Sequence, residues 1–319
     1  MAKRKLTVGS NQHKQSLQSD GGDANSAPEI SLTTTNPYMT LGPELVASRN
    51  LLLRVLELLE EQSAALTVLG AHAVFEQTKT IIELPSMDST HDADVGVTPE
   101  LLAPTPLLDE MMDSAGLEPA NPARPGVWGL KSEHDKPLYD RLTIDLIAPS
   151  AIAGNKRRSA DVGAHGAKSV SKTSGTELSV IDRDWMEIES FDNDQPSREG
   201  YVAGVAALIC AKVYKIYDRL DPAELARNTA RSKPKDATDL FRLIVAKNGV
   251  DVRAVFDRGI RTPQIADAVV EGKRRLLDLR DRDEGRWITS QVLLQWGDDV
   301  LSAGQIQRVV DDWFNGFGD

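Results

Sequence analysis

Apolar and polar positions follow three different rhythms along the chain. Residues 1–38 are rich in Ser, Gln, Asn, Asp, Gly and Thr and show almost no periodic apolar positions, which predicts a disordered tail. From 39 to 195, short apolar runs with strand and helix periods alternate. Leu45, Val46, Leu52, Leu53, Leu56 and Leu59 recur at helical spacing behind Gly42-Pro43-Glu44, which predicts a helix to about Gln62 with Pro43 in its first turn. Ala65–Leu69 reads as a short buried strand, and Gly70-Ala71-His72-Ala73 opens a helix to about Lys79. Thr98-Pro99-Glu100 reads as the capped start of a helix through Leu101, Leu102, Leu107, Leu108, Met111 and Met112 that stops at Gly116. Residues 117–127 read as a proline-rich loop, Gly126–Leu130 as a strand, 149–175 as a loop, and 177–190 as one or two strands that include Val180-Ile181 and Trp185–Ile188. From about 200 the period becomes helical to the end. An apolar helix covers Val202–Leu220, another opens at Lys233-Pro234, and further helices fall near 251–258, 263–280, 287–296 and 303–315, with Trp287, Trp296 and Trp313 in the core. The predicted class is α+β: a mixed sheet with helices over 39–195, then an all-helical region over 196–319.

Two stretches alternate with period two and carry carboxylates on one face. In Ser89-Thr90-His91-Asp92-Ala93-Asp94-Val95-Gly96-Val97, the side chains of Ala93, Val95 and Val97 share one face and those of Asp92 and Asp94 the other. In Leu142–Ile147, Leu142, Ile144 and Leu146 share a face opposite Thr143 and Asp145. If the strands are neighbours, three carboxylates converge, and they repel one another unless a cation lies between them. Hard oxygen ligands at this density suit magnesium or manganese.

The formal net charge of −11 over 319 residues argues against non-specific coating of nucleic acid, where phosphate contacts dominate affinity, but leaves a specific RNA end open. The single cysteine, Cys210, allows no intramolecular disulfide and fits a reducing cytoplasm. No apolar run is long enough to span a bilayer, and no apolar core follows Met1-Ala2-Lys3-Arg4-Lys5, so neither a membrane segment nor a secretory signal is expected.

The turn at Gly70-Ala71 has the form of a strand that ends at a helix N-terminus, where free N–H groups can meet a phosphate. Lys212, Lys215 and Arg219 are spaced by three and four and form one cationic stripe on a helix, and Asp236 and Asp239 share a face of the next one. Lys212 lies in an otherwise apolar run and calls for an anionic partner. Gly163–Ser169 departs from a phosphate-binding loop, because Ala167 interrupts the required pattern, and Lys156-Arg157-Arg158 reads as a solvated loop.

Four segments together resemble the nucleotidyltransferase-fold proteins related to the AbiEii toxins of abortive-infection, type IV toxin–antitoxin systems. They are Val68-Leu69-Gly70-Ala71-His72-Ala73-Val74, Ser89–Asp94, Thr143-Ile144-Asp145-Leu146, and Ala211-Lys212-Val213-Tyr214-Lys215 followed by Lys235-Asp236-Ala237-Thr238-Asp239. The resemblance runs from about Leu66 to Leu243. It implies a polymerase-beta-like sheet domain, with Asp92 and Asp94 as metal ligands, Asp145 as a further ligand or base, and Mg2+ or Mn2+ as cofactor. It also implies that Gly70, Ala71, Thr90, Lys212, Lys215, Asp236 and Asp239 surround a nucleoside triphosphate, with Lys212 on its phosphates. The wider fold usually has Gly-Ser or Gly-Gly at the turn; Ala71 here supplies no hydroxyl and leaves the contact to backbone N–H groups.

The implied reaction is transfer of a nucleoside monophosphate from the triphosphate to an acceptor hydroxyl. For a cytoplasmic, toxin-like or phage-defence protein the acceptor would be the 3′ end of tRNA, and a cognate antitoxin a possible partner. Two alternatives remain open at this stage: a small-molecule nucleotidyltransferase of the aminoglycoside-modifying type, and a non-catalytic binding partner on the same fold.

Overall fold

The computed structural model describes residues 41–319 apart from 82–83, 86–89, 122, 193, 222, 224–225 and 227–233. The expected tail at 1–38, and Ser89 of the aspartate motif, lie outside the described residues. The chain opens with α1 (Pro43–Leu58), whose Leu45, Leu52, Leu53 and Val55 are buried, and a 3-10 turn at Glu60–Ala65. Then follow β1 (Leu66–Val68), α2 (Gly70–Thr78) and β2 (Asp92–Val97). A helix α3 (Leu108–Ser114), the hairpin strands β3 (Leu117–Pro119) and β4 (Val127–Leu130), and β5 (Thr143–Pro149) come next. β6 (Ser171–Thr173), β7 (Arg183–Ile188) and β8 (Arg198–Ala203) complete the sheet.

Among the described residues the sheet has eight strands in the order β3-β4-β5-β2-β1-β8-β7, and β6 also pairs with β5. It is mixed. β2 and β5 run parallel in the register Asp92↔Thr143 and Asp94↔Asp145, whereas β1 is antiparallel to β2 and parallel to β8. Period-two alternation explains the two faces: Ala93, Val95, Ile144 and Leu146 are buried in the core, and α1 packs on β2, β5 and β8. The aspartates take the other face.

The rest is helical: α4 (Val205–Leu220), α5 (Pro234–Ala246), α6 (Gly249–Ile260), α7 (Ala266–Asp281), α8 (Trp287–Trp296) and α9 (Ala303–Phe317). α4 starts where a buried carboxylate, Asp182, accepts the N–H of Ala207 at 2.8 Å. Asn248 caps α6, and Ser302 and Gln305 form a capping box on α9. Trp287 and Trp313 are buried and Trp296 packs on the same core. No helix among the described residues is long and apolar enough to cross a membrane.

Five sequence expectations are corrected. The helix predicted from Pro99 is only a 3-10 turn at Pro99–Leu101, because Pro104 and Pro106 lack the N–H that would continue it; the helix proper starts at Leu108. Residues 117–127 contain β3 rather than loop alone, and 149–175 contain β6. Glu177–Val180, including the first part of the expected Val180-Ile181 strand, is a 3-10 turn. β8 occupies Arg198–Ala203, so α4 begins at Val205 rather than Val202 and the sheet extends past residue 195. Among the described residues, sheet and helices lie together in one compact unit.

Candidate metal and phosphate site

The parallel pairing of β2 with β5 sets Asp94 directly beside Asp145, and Asp92 lies two residues back on the same face. One oxygen from each of Asp92, Asp94 and Asp145 lies within 4.8 Å of the others. Asp145 Oδ1 is buried and has no hydrogen-bond partner among the described residues. A buried carboxylate oxygen left unpaired carries a desolvation cost that a cation would remove. Three hard oxygen donors converging around that orphaned atom have the chemistry to hold a magnesium or manganese ion.

The electrostatics of the three differ. Burial, reinforced by the charge of Asp92, pushes Asp94 up to about 6. Burial, with the charges of Asp94 and Asp92 added, raises Asp145 well above the usual carboxylate range. Asp92 stands at the exposed mouth. Burial works against its charge too, but the Thr90 hydroxyl, which donates to Asp92 Oδ1, and the charges of Lys215 and Lys235 outweigh it and hold the group below the ordinary range. Thr90, expected among the nucleotide ligands, thus also holds Asp92 in place.

Gly70 opens α2 at φ +61°, and a Cβ there would collide with the Asp94 carboxylate. Only glycine allows both the left-handed backbone and the close approach of strand and helix. No side chain caps this helix N-terminus, which therefore keeps its dipole and N–H groups for the cleft. His72, one residue beyond Ala71, does not reach the cleft. It is buried, its Nε2 lies 3.1 Å from Ser48 Oγ, and burial holds it well below the usual histidine range.

The cationic stripe of α4 faces the carboxylates. Lys212 is buried and donates to Asp239 Oδ2 at 2.5 Å, with Asp236 Oδ1 at 3.9 Å. Arg219 is paired with Asp236, and Lys215 lies 4.0 Å from the same carboxylate. Burial and the neighbouring Lys212 lower the pKa of Lys215. The partner expected for Lys212 is therefore Asp239. Asp239 itself is buried behind Lys212 and lines neither cavity of the cleft, which corrects the expectation that it meets the nucleotide.

Two cavities meet at the three aspartates. One, of about 390 Å³, is bounded by Gly70, the α4 stripe and the hydroxyls of Thr173, Ser174 and Thr176. The other, of about 550 Å³, extends past Ala71 and Thr90 to Arg124, Tyr139, Lys235 and Asp236. Lys212, Lys215 and Arg219 line both. The sequence reading brought Gly70, Ala71, Thr90, Asp92, Asp94, Asp145, Lys212, Lys215 and Asp236 to one cleft, and the structure gathers all of them. It missed Arg124 and Tyr139, which stand in irregular connections with no periodic signal, and left Arg219 and Lys235 out although both stood in segments it had singled out. Lys156-Arg157-Arg158 lies outside the cleft; Lys156 pairs with Asp161 at 3.1 Å.

No family model matches the chain, and no curated protein or solved structure gives a match.

Proposed function

We propose that this protein is a metal-dependent nucleotidyltransferase of polymerase-beta-like fold, which transfers a nucleoside monophosphate from a triphosphate to an acceptor hydroxyl. The observation that carries the reading is the convergence of Asp92, Asp94 and Asp145, with the orphaned Asp145 Oδ1 among them, opposite a stripe of three cations. Magnesium or manganese bound by the carboxylates would neutralise charge that grows on the α-phosphate and on the leaving pyrophosphate.

The chain's own groups supply the rest. Lys212, Lys215 and Arg219 bind the β- and γ-phosphates, and the N–H groups of the Gly70-Ala71 turn donate to phosphate oxygens. Asp239 holds Lys212 in place, and Asp236 does the same for Arg219. The acceptor oxygen attacks the α-phosphorus, the bond to the bridging β-phosphate oxygen breaks, and pyrophosphate leaves. Asp145 takes the acceptor's proton.

The cavity beyond Ala71 favours an anionic acceptor over a polycationic aminoglycoside, because Arg124, Lys215, Arg219 and Lys235 all line it. A purely binding role leaves three crowded carboxylates without a purpose. The resemblance to the AbiEii toxins supports the 3′ end of tRNA as acceptor, a toxin-like or phage-defence role in the cytoplasm, and a cognate antitoxin as partner.

The test is transfer of label from each α-labelled nucleoside triphosphate into total tRNA with Mg2+ or Mn2+, with the Asp92→Ala/Asp94→Ala protein as control. Label in RNA with wild type alone is expected. No label in RNA, with metal and nucleotide still bound, would move the acceptor to a small molecule or protein.

A further inference from the structure

Within the 550 Å³ cavity, two side chains hold neither the metal nor the donor triphosphate in the reading above. Tyr139 is 78 % exposed, the most exposed of the large hydrophobic side chains at the surface, and lines the cavity wall. A single exposed aromatic is ordinary. The turn that presents this one is not loosely held. Tyr139 sits in a 3-10 turn, Leu138–Asp140, that is pinned where it leads into β5. Buried Arg141 donates to Glu118 Oε1 at 2.9 Å and to the Leu130 carbonyl at 3.1 Å, and Glu133 accepts the Leu142 N–H at 2.8 Å. A ring held out by an anchored turn at a cavity rim keeps one face open for stacking.

Arg124 is presented in the same way. Its turn is fastened by the Ala123 N–H to Asn121 Oδ1 at 2.8 Å and by Gly126, whose N–H donates to the Lys168 carbonyl at 2.9 Å. Gly126 sits at φ +78° where β4 gives way to β6 on the edge of β5, and a Cβ there would collide with the backbone of Leu146 and Ser171. Arg124 is exposed, and it makes no ion pair among the described residues. Val127, three residues further on, pairs with Asp145 across β4 and β5, and Arg124 lines the same cavity as Asp145. Arg124 therefore stands on the Asp145 side, where an acceptor hydroxyl has to arrive. The Gly70 turn and the hydroxyls of Thr173, Ser174 and Thr176 belong to the other cavity.

We propose that Tyr139 and Arg124 form a clamp for the acceptor: Tyr139 stacks on a planar ring and Arg124 binds a phosphate of the same molecule, so that its hydroxyl is set against Asp145. This rests on the nucleotidyltransferase reading and assigns the two positioning residues that select an acceptor with both a ring and an anionic group. The donor triphosphate occupies the cavity bounded by Gly70 and does not depend on either residue.

The probe is a 5′-fluorescein-labelled CCA trinucleotide, followed by anisotropy with Mg2+ and a non-hydrolysable triphosphate; unlabelled AMP is a competitor. In parallel, triphosphate binding is measured by calorimetry on the same proteins. Tyr139→Ala is expected to weaken the probe about tenfold, on the order of one lost base–aromatic stack, and Tyr139→Trp to restore it within about twofold. Arg124→Gln is expected to weaken it by about tenfold and to reduce the salt dependence by about one ion. Triphosphate affinity stays unchanged in all three. Competition by AMP at the concentration of the trinucleotide assigns the clamp to a mononucleotide; failure of AMP to compete assigns it to an oligonucleotide end, and either supports the clamp. Wild-type affinity in both Tyr139→Ala and Arg124→Gln overturns it, and so does a wild type that binds triphosphate but not the probe. Loss of triphosphate and probe together in wild type overturns the underlying reading instead.

Discussion

Two sets of aspartates, one lining this cleft and one at its edge and behind it, differ in one respect. Asp236 and Asp239, on α5, are fully compensated: Arg219 grips the first and Lys212 the second. Asp94 and Asp145, side by side on β2 and β5, face each other and Asp92 without an ion pair among the described residues. The first set behaves as a scaffold that fixes cations. The second is a deficit of positive charge built into the sheet, at a place where burial makes the deficit costly. A protein that needed only a stable fold could replace the second set with neutral residues at a gain in stability, which is why the difference points to a ligand that is itself positive.

The sharpest way to break this comparison is to neutralise one member of each set. Asp94→Asn or Asp145→Asn should lower label transfer by about 10²–10³-fold or more, the scale of a lost electrostatic contribution to a transition state. The same change should leave the metal-free protein as stable as wild type or more so, read by urea unfolding in EDTA. Asp239→Ala should do the reverse to stability. It leaves Lys212 buried without its close partner and should destabilise the fold by about 3–5 kcal/mol in the same assay. If both substitutions cost similar stability, the two sets are not different in kind.

The pH dependence of the metal-free protein sharpens the same point. Asp94 is raised to about 6 and Asp145 is raised as well, so the folded state holds protons that the unfolded chain, near the ordinary 3.8, releases. The contribution of Asp94 to stability is therefore fully present below about pH 4 and is lost as pH rises through about 6, and Asp145 acts in the same sense. For Asp94 the loss is about 3 kcal/mol, at about 1.4 kcal/mol per pH unit. Asp92, held low, acts in the opposite sense and only below about pH 4. Saturating Mg2+ should flatten the decline, as measured by unfolding free energy between pH 4.5 and 7.5 with and without metal.

A smaller effect comes from the junction of strand and helix. Gly70→Ala should cost about 1–2 kcal/mol from the left-handed backbone alone, and it should weaken metal binding further because the Cβ displaces the Asp94 carboxylate. Thermal denaturation with and without Mn2+ separates the two parts.

The site was legible where periodicity was strict. Alternation in Asp92–Val97 and Leu142–Ile147 placed the carboxylates on one face, and parallel pairing of neighbouring strands does the rest. The i, i+3, i+7 spacing of Lys212, Lys215 and Arg219 likewise fixed the cationic stripe of α4 before any contact was known. What could not be read was length and junction. β3 has three residues and ends in Pro119, too short for a period to emerge, and β8 runs straight into the apolar start of α4, so that Val202 reads equally as strand or helix. The resemblance implied Asp239 as a nucleotide ligand, while its spacing from Asp236 shows only that both share a face; which of them faces the cavity depends on how α5 packs against α4, and that is a tertiary fact. Arg124 and Tyr139 owe their positions to turns locked by Gly126 and Arg141, and such locking leaves no pattern in the chain.

The most direct test of the account is thermal stability of wild type and Asp145→Asn, each with EDTA, with millimolar Mg2+ or Mn2+, and with metal plus a nucleoside triphosphate. The account predicts that metal raises the melting temperature of wild type, that triphosphate raises it further only when metal is present, and that Asp145→Asn loses most of both shifts. A wild type indifferent to metal at millimolar concentration, or a metal shift fully retained in Asp145→Asn, would contradict it.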